Sequence, residues 1–176
     1  TAGTVTIDGM QPGRGTHSIV SYLPDRTCLD ENMKVADLID FFSDFYRDFD
    51  RVKATEMLNT LNLSSLSRLK ALSKGNREKV QLILTMSRRA QLYILDEPIA
   101  GVDPAARDYI LNTILANYSE DASVLLSTHL IADIERVLDE VVFLKEGSMV
   151  LHEGVDTIRE EHGKSVDMLF REVFSC

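Results

Sequence analysis

No apolar stretch in this 176-residue sequence approaches the roughly 18 residues that span a bilayer as a helix. Any membrane role must therefore pass through a partner. The polar Thr1–Gly15 segment has neither the charged start nor the apolar middle of a signal peptide. Positive charge is also short: 19 Lys and Arg stand against 28 Asp and Glu, a formal net charge of −9. That balance is a poor footprint for gripping phosphate backbones by charge, and it argues against nucleic acid as the partner. Cysteine is scarce too. Cys28 and Cys176 lie far apart, with no metal-ligand or C-x-x-C spacing, as expected of free thiols in a cytosolic chain. What remains is an ordinary globular composition, 44% hydrophobic and 27% charged, of a length that suits one domain with a packed core.

Apolar periodicity divides the chain into alternating elements. Gly3–Gly9 predicts a short strand, Gly9–Gly15 a loop, and Ser18–Leu23 a second strand stopped by Pro24. From Val35, the residues Leu38, Ile39, Phe41, Phe42, Phe45, Tyr46 and Phe49 recur at helical spacing. Val52, Met57, Leu58, Leu61 and Leu63 continue that period, so residues 34–72 predict a small helical subdomain. Its aromatic stripe reads most simply as core packing, with partner docking as the second reading. Ser73 is a candidate N-cap for an amphipathic helix reaching about Arg89.

Leu92–Leu95 is a continuous apolar run that predicts a strand buried on both faces of a parallel sheet, ending at Asp96-Glu97-Pro98. Asp103-Pro104 predicts a helix start, running to about Asn117. Val124–Leu126 predicts a strand leading to Ser127-Thr128-His129, with a helix over 130–138. Val141–Leu144 and Met149–Leu151 flank Glu146-Gly147-Ser148 as a hairpin, and 155–176 predicts helix. Strand and helix in alternation imply an α/β fold with its chemistry at the carboxyl ends of parallel strands.

Asp96 and Glu97 sit at such an end. Two adjacent carboxylates there repel unless a cation or proton offsets them, and a phosphate-bound magnesium is a common cation for that task. Alternation along a strand would aim one at a metal and the other at an attacking water. In their surroundings, four segments resemble motifs of the ATP-binding subunits of ABC transporters, in the family order. Leu72-Ser73-Lys74-Gly75-Asn76 is similar to the signature motif, with Lys74 and Asn76 at its looser positions. Leu92–Asp96 resembles the Walker B strand, with Glu97 at the catalytic glutamate. Ala100-Gly101-Val102-Asp103 resembles the D-loop, and Ser127-Thr128-His129 the switch-histidine motif.

The resemblance implies an export-type, ABC-2-like ATPase. Its P-loop NTPase fold would have a parallel core sheet, antiparallel strands and a helical subdomain at about 34–90, inserted in a single domain over 1–176. It implies ATP and Mg as ligands, a second ATPase subunit in a head-to-tail dimer, and an integral membrane permease. The protein would then be cytoplasmic and peripheral at the inner face of the membrane. By the same resemblance, Ser73, Lys74, Gly75 and Asn76 hold the γ-phosphate of the opposite subunit's ATP on a helix start. Asp96 holds magnesium through water, Glu97 polarises the attacking water, His129 contacts the γ-phosphate, and the Gly101–Asp103 loop crosses the dimer interface. Asp103 doubles as a helix cap. Asp25 falls where most members carry the Q-loop glutamine; it still offers a metal-facing oxygen, but adds negative charge beside Asp96 and Glu97.

One expected motif does not occur. No G-x-x-x-x-G-K-[ST] loop is present; Gly163-Lys164-Ser165 fails because its first glycine would fall at Ile158, and it follows the hairpin rather than a buried strand. Thr1–Val5 resembles the segment after the family's Walker A helix, so the expectation is a member lacking its amino-terminal portion, and with it the adenine-stacking aromatic. Alone, such a chain would not bind ATP productively. A non-catalytic interaction module is the alternative, as is an ABC-type ATPase of translation or DNA maintenance. Against the latter stand the acidic balance, the single signature motif and the absence of a long coiled coil.

Overall fold

The computed structural model describes residues 3–100, 102, 104–118 and 121–174. The chain divides into two compact units, Thr1–Thr128 and His129–Cys176. In the first unit, α1 (Arg14–His17) precedes β1 (Val20–Leu23), followed by α2 (Val35–Phe45) and α3 (Arg51–Thr60). A 3-10 turn at Leu69–Ala71 leads into α4 (Lys74–Met86), then β2 (Leu92–Asp96), α5 (Pro104–Asn117) and β3 (Ser123–Ser127).

The three strands form a parallel sheet in the order β1-β2-β3, with β2 central. Ser21, Leu23, Tyr93 and Leu95 are buried on one face. There the Ser21 hydroxyl donates to the carbonyl of Thr85 at 2.8 Å, anchoring the sheet to α4. Every residue of α4 from Val80 to Met86 is buried, so this helix is the centre of the unit's core. Each fully buried aliphatic side chain there is worth about 1.5–3 kcal/mol. The other face carries Tyr22, Ile94 and Leu125 in register, with Tyr22 55% and Leu125 60% exposed. Burial of β2 on both faces is therefore corrected: its alternate residues Leu92, Ile94 and Asp96 stay half-buried, because one layer of helix covers only one side of the pleat.

Local chemistry explains several element boundaries. Asp50 caps α3, its carboxylate accepting the Lys53 N–H at 3.0 Å and pairing with Arg89 at 2.9 Å. Those two partners hold the Asp50 carboxyl below the usual value, the Lys53 N–H contributing most. The N–H of Lys34 donates to Asp37 Oδ2 at the start of α2. Near the N-terminus, the expected strand over Gly3–Gly9 is replaced by one bridge between Ile7 and Met10 across Asp8-Gly9, both at positive φ (49° and 71°). A strand needs a partner, and among the described residues the segment pairs only with itself. Arg14–His17 forms a single helical turn where a loop was expected.

The aromatic stripe also divides. Val35, Leu38 and Ile39 bury the inner face of α2, whereas Phe41 and Phe45 stack on each other at 5.9 Å and stand 53% and 68% exposed. Core packing is thus corrected for these two rings: they lie three and seven positions beyond the buried Leu38, along the same helical stripe, so their exposure comes from the described residues leaving that end of α2 uncovered and not from helix phase. Arg88, only 3% exposed, ties the segment between α2 and α3 to the sheet. Its guanidinium donates to both Asp48 carboxylate oxygens and to the carbonyls of His17, Ser18 and Val20, and lies 3.9 Å from the centre of the Tyr46 ring.

In the second unit, α6 (Ile131–Ile134) passes into a 3-10 turn at Glu135–Val137, so the helix expected over 130–138 is one α turn and one tighter turn. The hairpin β4 (Glu140–Lys145) and β5 (Ser148–Gly154) is antiparallel, joined through Glu146 and Gly147 at φ 51° and 78°. Two consecutive positive φ values are what a two-residue turn matching the strand twist requires. Helices α7 (Val155–His162) and α8 (Val166–Phe174) complete a core of Ile131, Val141, Phe143, Val155, Ile158 and Leu169. Phe170 and Phe174 pack their rings on Phe143 at 5.4 and 5.9 Å. Gly163 ends α7 in the left-handed conformation, Lys164 pairs with Glu172, and Ser165 Oγ accepts the Met168 N–H at 3.1 Å. The Gly163-Lys164-Ser165 triplet is thus a helix-to-helix corner. Among the described residues, no helix is long and apolar enough to cross a membrane.

Candidate functional site

The carboxyl ends of the parallel strands gather the acidic residues singled out above. Sheet register pairs Leu23 with Leu95 and Asp96 with Ser127, so Asp96 and Ser127 end adjacent strands side by side. Asp25 follows β1 by two residues. Open parallel sheets bind ligands at this edge.

Strand geometry does not govern Glu97, contrary to the alternation argument. β2 ends at Asp96, and Glu97 adopts a left-handed backbone with φ 48°. A non-glycine residue so held costs about 1–3 kcal/mol, and such outliers concentrate at functional sites. Two contacts fix it here: its N–H donates to the Ser127 carbonyl and to the Ser127 hydroxyl oxygen, each at 3.1 Å. The same hydroxyl donates to Asp96 Oδ1 at 2.6 Å. Ser127 therefore spans both acids.

A cavity of about 660 Å³ opens against them, lined among others by Asp25, Arg26, Lys74, Glu78, Asp96 and Glu97. Four acidic side chains and three basic ones, Arg77 among the latter, make its charged wall, with Lys74 3.7 Å from Glu78. Beside it Gln81, 8% exposed, donates from Nε2 to the Pro24 carbonyl at 2.9 Å, fixing the residue before Asp25. Among the described residues, no three His, Cys, Asp or Glu side chains are grouped as a metal cage. Hard oxygen donors without a full cage fit magnesium, which is usually held by one or two carboxylates with water and phosphate completing its shell.

Ser73 has extended backbone as the N-cap of α4, its Oγ accepting the Asn76 N–H at 3.3 Å. Lys74, Gly75 and Asn76 form the first turn. A Cβ placed on Gly75 would meet nothing within 4 Å, so no packing among the described residues calls for glycine there. Gly101 and Asp103 lie outside the described residues. His129, exposed, is the first residue of the second unit. Ser127 and Gln81 emerge from the structure with contacts that the sequence reading gave no role. Gln81 was detectable as the one amide in the apolar run Val80–Leu84; Ser127 needed the strand register.

The ABC transporter family profile matches residues 1–100. The ABC transporter ATP-binding protein YtrB of Bacillus subtilis is 27% identical over 172 residues, 96% of this chain and 59% of its own length. The uncharacterized ABC transporter ATP-binding protein MJ1023 of Methanocaldococcus jannaschii is 33% identical over 144 residues, 79% of this chain and 55% of its length. A solved ATP binding subunit of an ABC transporter superposes with a TM-score of 0.85 at 27% identity, covering 98% of this chain and 76% of that one. The chain spans somewhat over half the length of those two curated relatives. With an α/β fold of parallel sheet, helices and antiparallel hairpin, and with acids at the carboxyl edge of that sheet, this chain belongs to the ABC transporter family of ATP-binding proteins.

Proposed function

We propose that this chain is the catalytic portion of a subunit that hydrolyses ATP to power an export-type membrane permease. The carrying observation is the shared cavity at the carboxyl edge of the sheet, which Asp25, Asp96 and Glu97 all line. ATP and magnesium are used generally by the family. In this reading Asp96, through water, and Asp25 face the magnesium ion, which when bound neutralises phosphate charge. Glu97 accepts a proton from the attacking water, a general-base role typically worth about 10²–10⁴ in rate.

The start of α4 faces a second subunit in a head-to-tail dimer. Ser73, Gly75 and Asn76 supply a helix N-terminus, and Lys74 a positive charge, for the γ-phosphate of the ATP that the other subunit binds. The open space at Gly75 supports this, since an incoming ligand would use room that the chain itself leaves unused. His129 contacts the same phosphate, and the Gly101–Asp103 loop crosses the dimer interface. The exposed Phe41–Phe45 stack is assigned to the permease, which would place the subunit at the cytoplasmic face of the membrane. Residues 1–176 by themselves contain no G-x-x-x-x-G-K-[ST] cradle and are not expected to hold ATP productively.

Replacing Glu97 by Gln in the assembled transporter tests the reading. ATP binding should persist while turnover falls by about 10² or more. Turnover at the wild-type rate would remove Glu97 from the reaction.

A further inference from the structure

Ser127 belongs to a strand end that no role above explains, yet its hydroxyl makes a short contact, 2.6 Å to Asp96 Oδ1. A hydroxyl has one hydrogen and two lone pairs. An ionised carboxylate can only accept, so the hydrogen goes to Asp96, and a lone pair remains for the Glu97 N–H at 3.1 Å. One oxygen therefore orients a carboxylate and, on the other side, fixes the backbone of the next residue in a conformation that residue does not favour, φ 48°. The bonded partners lie 31 residues apart in sequence, brought together by the pairing of β2 with β3.

We propose that Ser127 is a positioning residue: through Asp96 and the Glu97 N–H it sets the relative aim of the metal-facing and water-facing carboxylates. The inference rests on the function proposed above for those two acids. Without the hydroxyl, the Glu97 N–H loses one of its two Ser127 acceptors and its peptide is freer to move toward ordinary backbone angles. Asp96 loses the donor that fixes its rotamer. The sheet register remains, because it uses main-chain groups only. Threonine keeps the hydroxyl, and Ser127 is exposed, leaving room for the added methyl.

Two measurements on the full subunit test this. In Ser127→Ala, amide hydrogen exchange at Glu97, read without nucleotide, should accelerate at least tenfold while amides elsewhere in β2 keep their protection. Turnover of the assembled transporter should fall about 10–100-fold, the range for supporting partners of a metal site, with the KM for ATP changing less than threefold. Ser127→Thr should restore both. If the alanine variant does not fold, Ser127→Cys, close in size but a weak donor, should show the same losses. Unchanged exchange at Glu97, undiminished turnover in Ser127→Ala, or a threonine variant as impaired as the alanine one would overturn the proposal. The two readings separate cleanly: Glu97→Gln inactive with Ser127→Ala fully active sinks the positioning role alone, whereas an active Glu97→Gln sinks the assignment beneath it.

Discussion

Gly75→Ala should make the protein more stable and the transporter slower. Gly75 is the second residue of α4, directly after Lys74 and the Ser73 cap. Its backbone is not left-handed, and an added Cβ would find no atom within 4 Å, so alanine enters without strain or clash. Alanine then gains from a smaller loss of backbone freedom and a better helix propensity, together about 0.5–1 kcal/mol. For a chain of this size, 1 kcal/mol moves Tm by about 2–4 °C, so the variant should melt about 1–4 °C higher. Circular dichroism at the helix band reads the melt, and phosphate release by the assembled transporter reads turnover, expected to drop at least about tenfold because the methyl occupies the space proposed for a partner-bound phosphate. A lower Tm would refute the argument about open space. A raised Tm with undiminished turnover would refute the role given to the start of α4.

Two further perturbations probe the scaffold. Arg88→Met removes a buried cation from Asp48 and three main-chain carbonyls, leaving an unpaired carboxylate; the cost should be about 3–5 kcal/mol, a Tm lower by about 6–20 °C. A loss below about 1 kcal/mol would mean that the network adds nothing net. Asp50 titrates below its ordinary value of 3.8, so its ionised form is favoured by folding. That stability is fully present above about pH 4 and disappears as pH falls through the lowered value. Asp50→Asn keeps a capping oxygen but cannot titrate. The stability difference between wild type and variant, from urea unfolding, should be flat above pH 4 and shrink below it; a difference independent of pH would show that the Lys53 and Arg89 contacts do not favour the carboxylate.

Much of the site was legible before any coordinates. Asp96 and Glu97 terminate an apolar run, Ser73 precedes a helical period, and Gly147 marks the hairpin, because each signal is written within a few neighbouring residues. Misreadings occurred where a partner distant in sequence decides. Gly3–Gly9 has the alternation of a strand but, among the described residues, pairs only across its own turn. Phe41 and Phe45 share the helical stripe of Leu38, but the described residues leave them uncovered at that end of α2. Glu97 leaves the strand it follows, since Ser127 offers its N–H two acceptors outside the pleat.

The sequence by itself determined the α/β alternation, the starts of α2, α4, α5 and α7 and the presence of acids at a strand end, since propensity, capping and hydrophobic period act over one or two turns of chain. Only the tertiary structure decided that Asp25, Asp96 and Glu97 share one cavity, that Ser127 joins two of them, and that Arg88 ties the helical segment to β1. Those contacts depend on strand register and helix packing between residues 31 to 71 positions apart, a distance over which local chemistry carries no information.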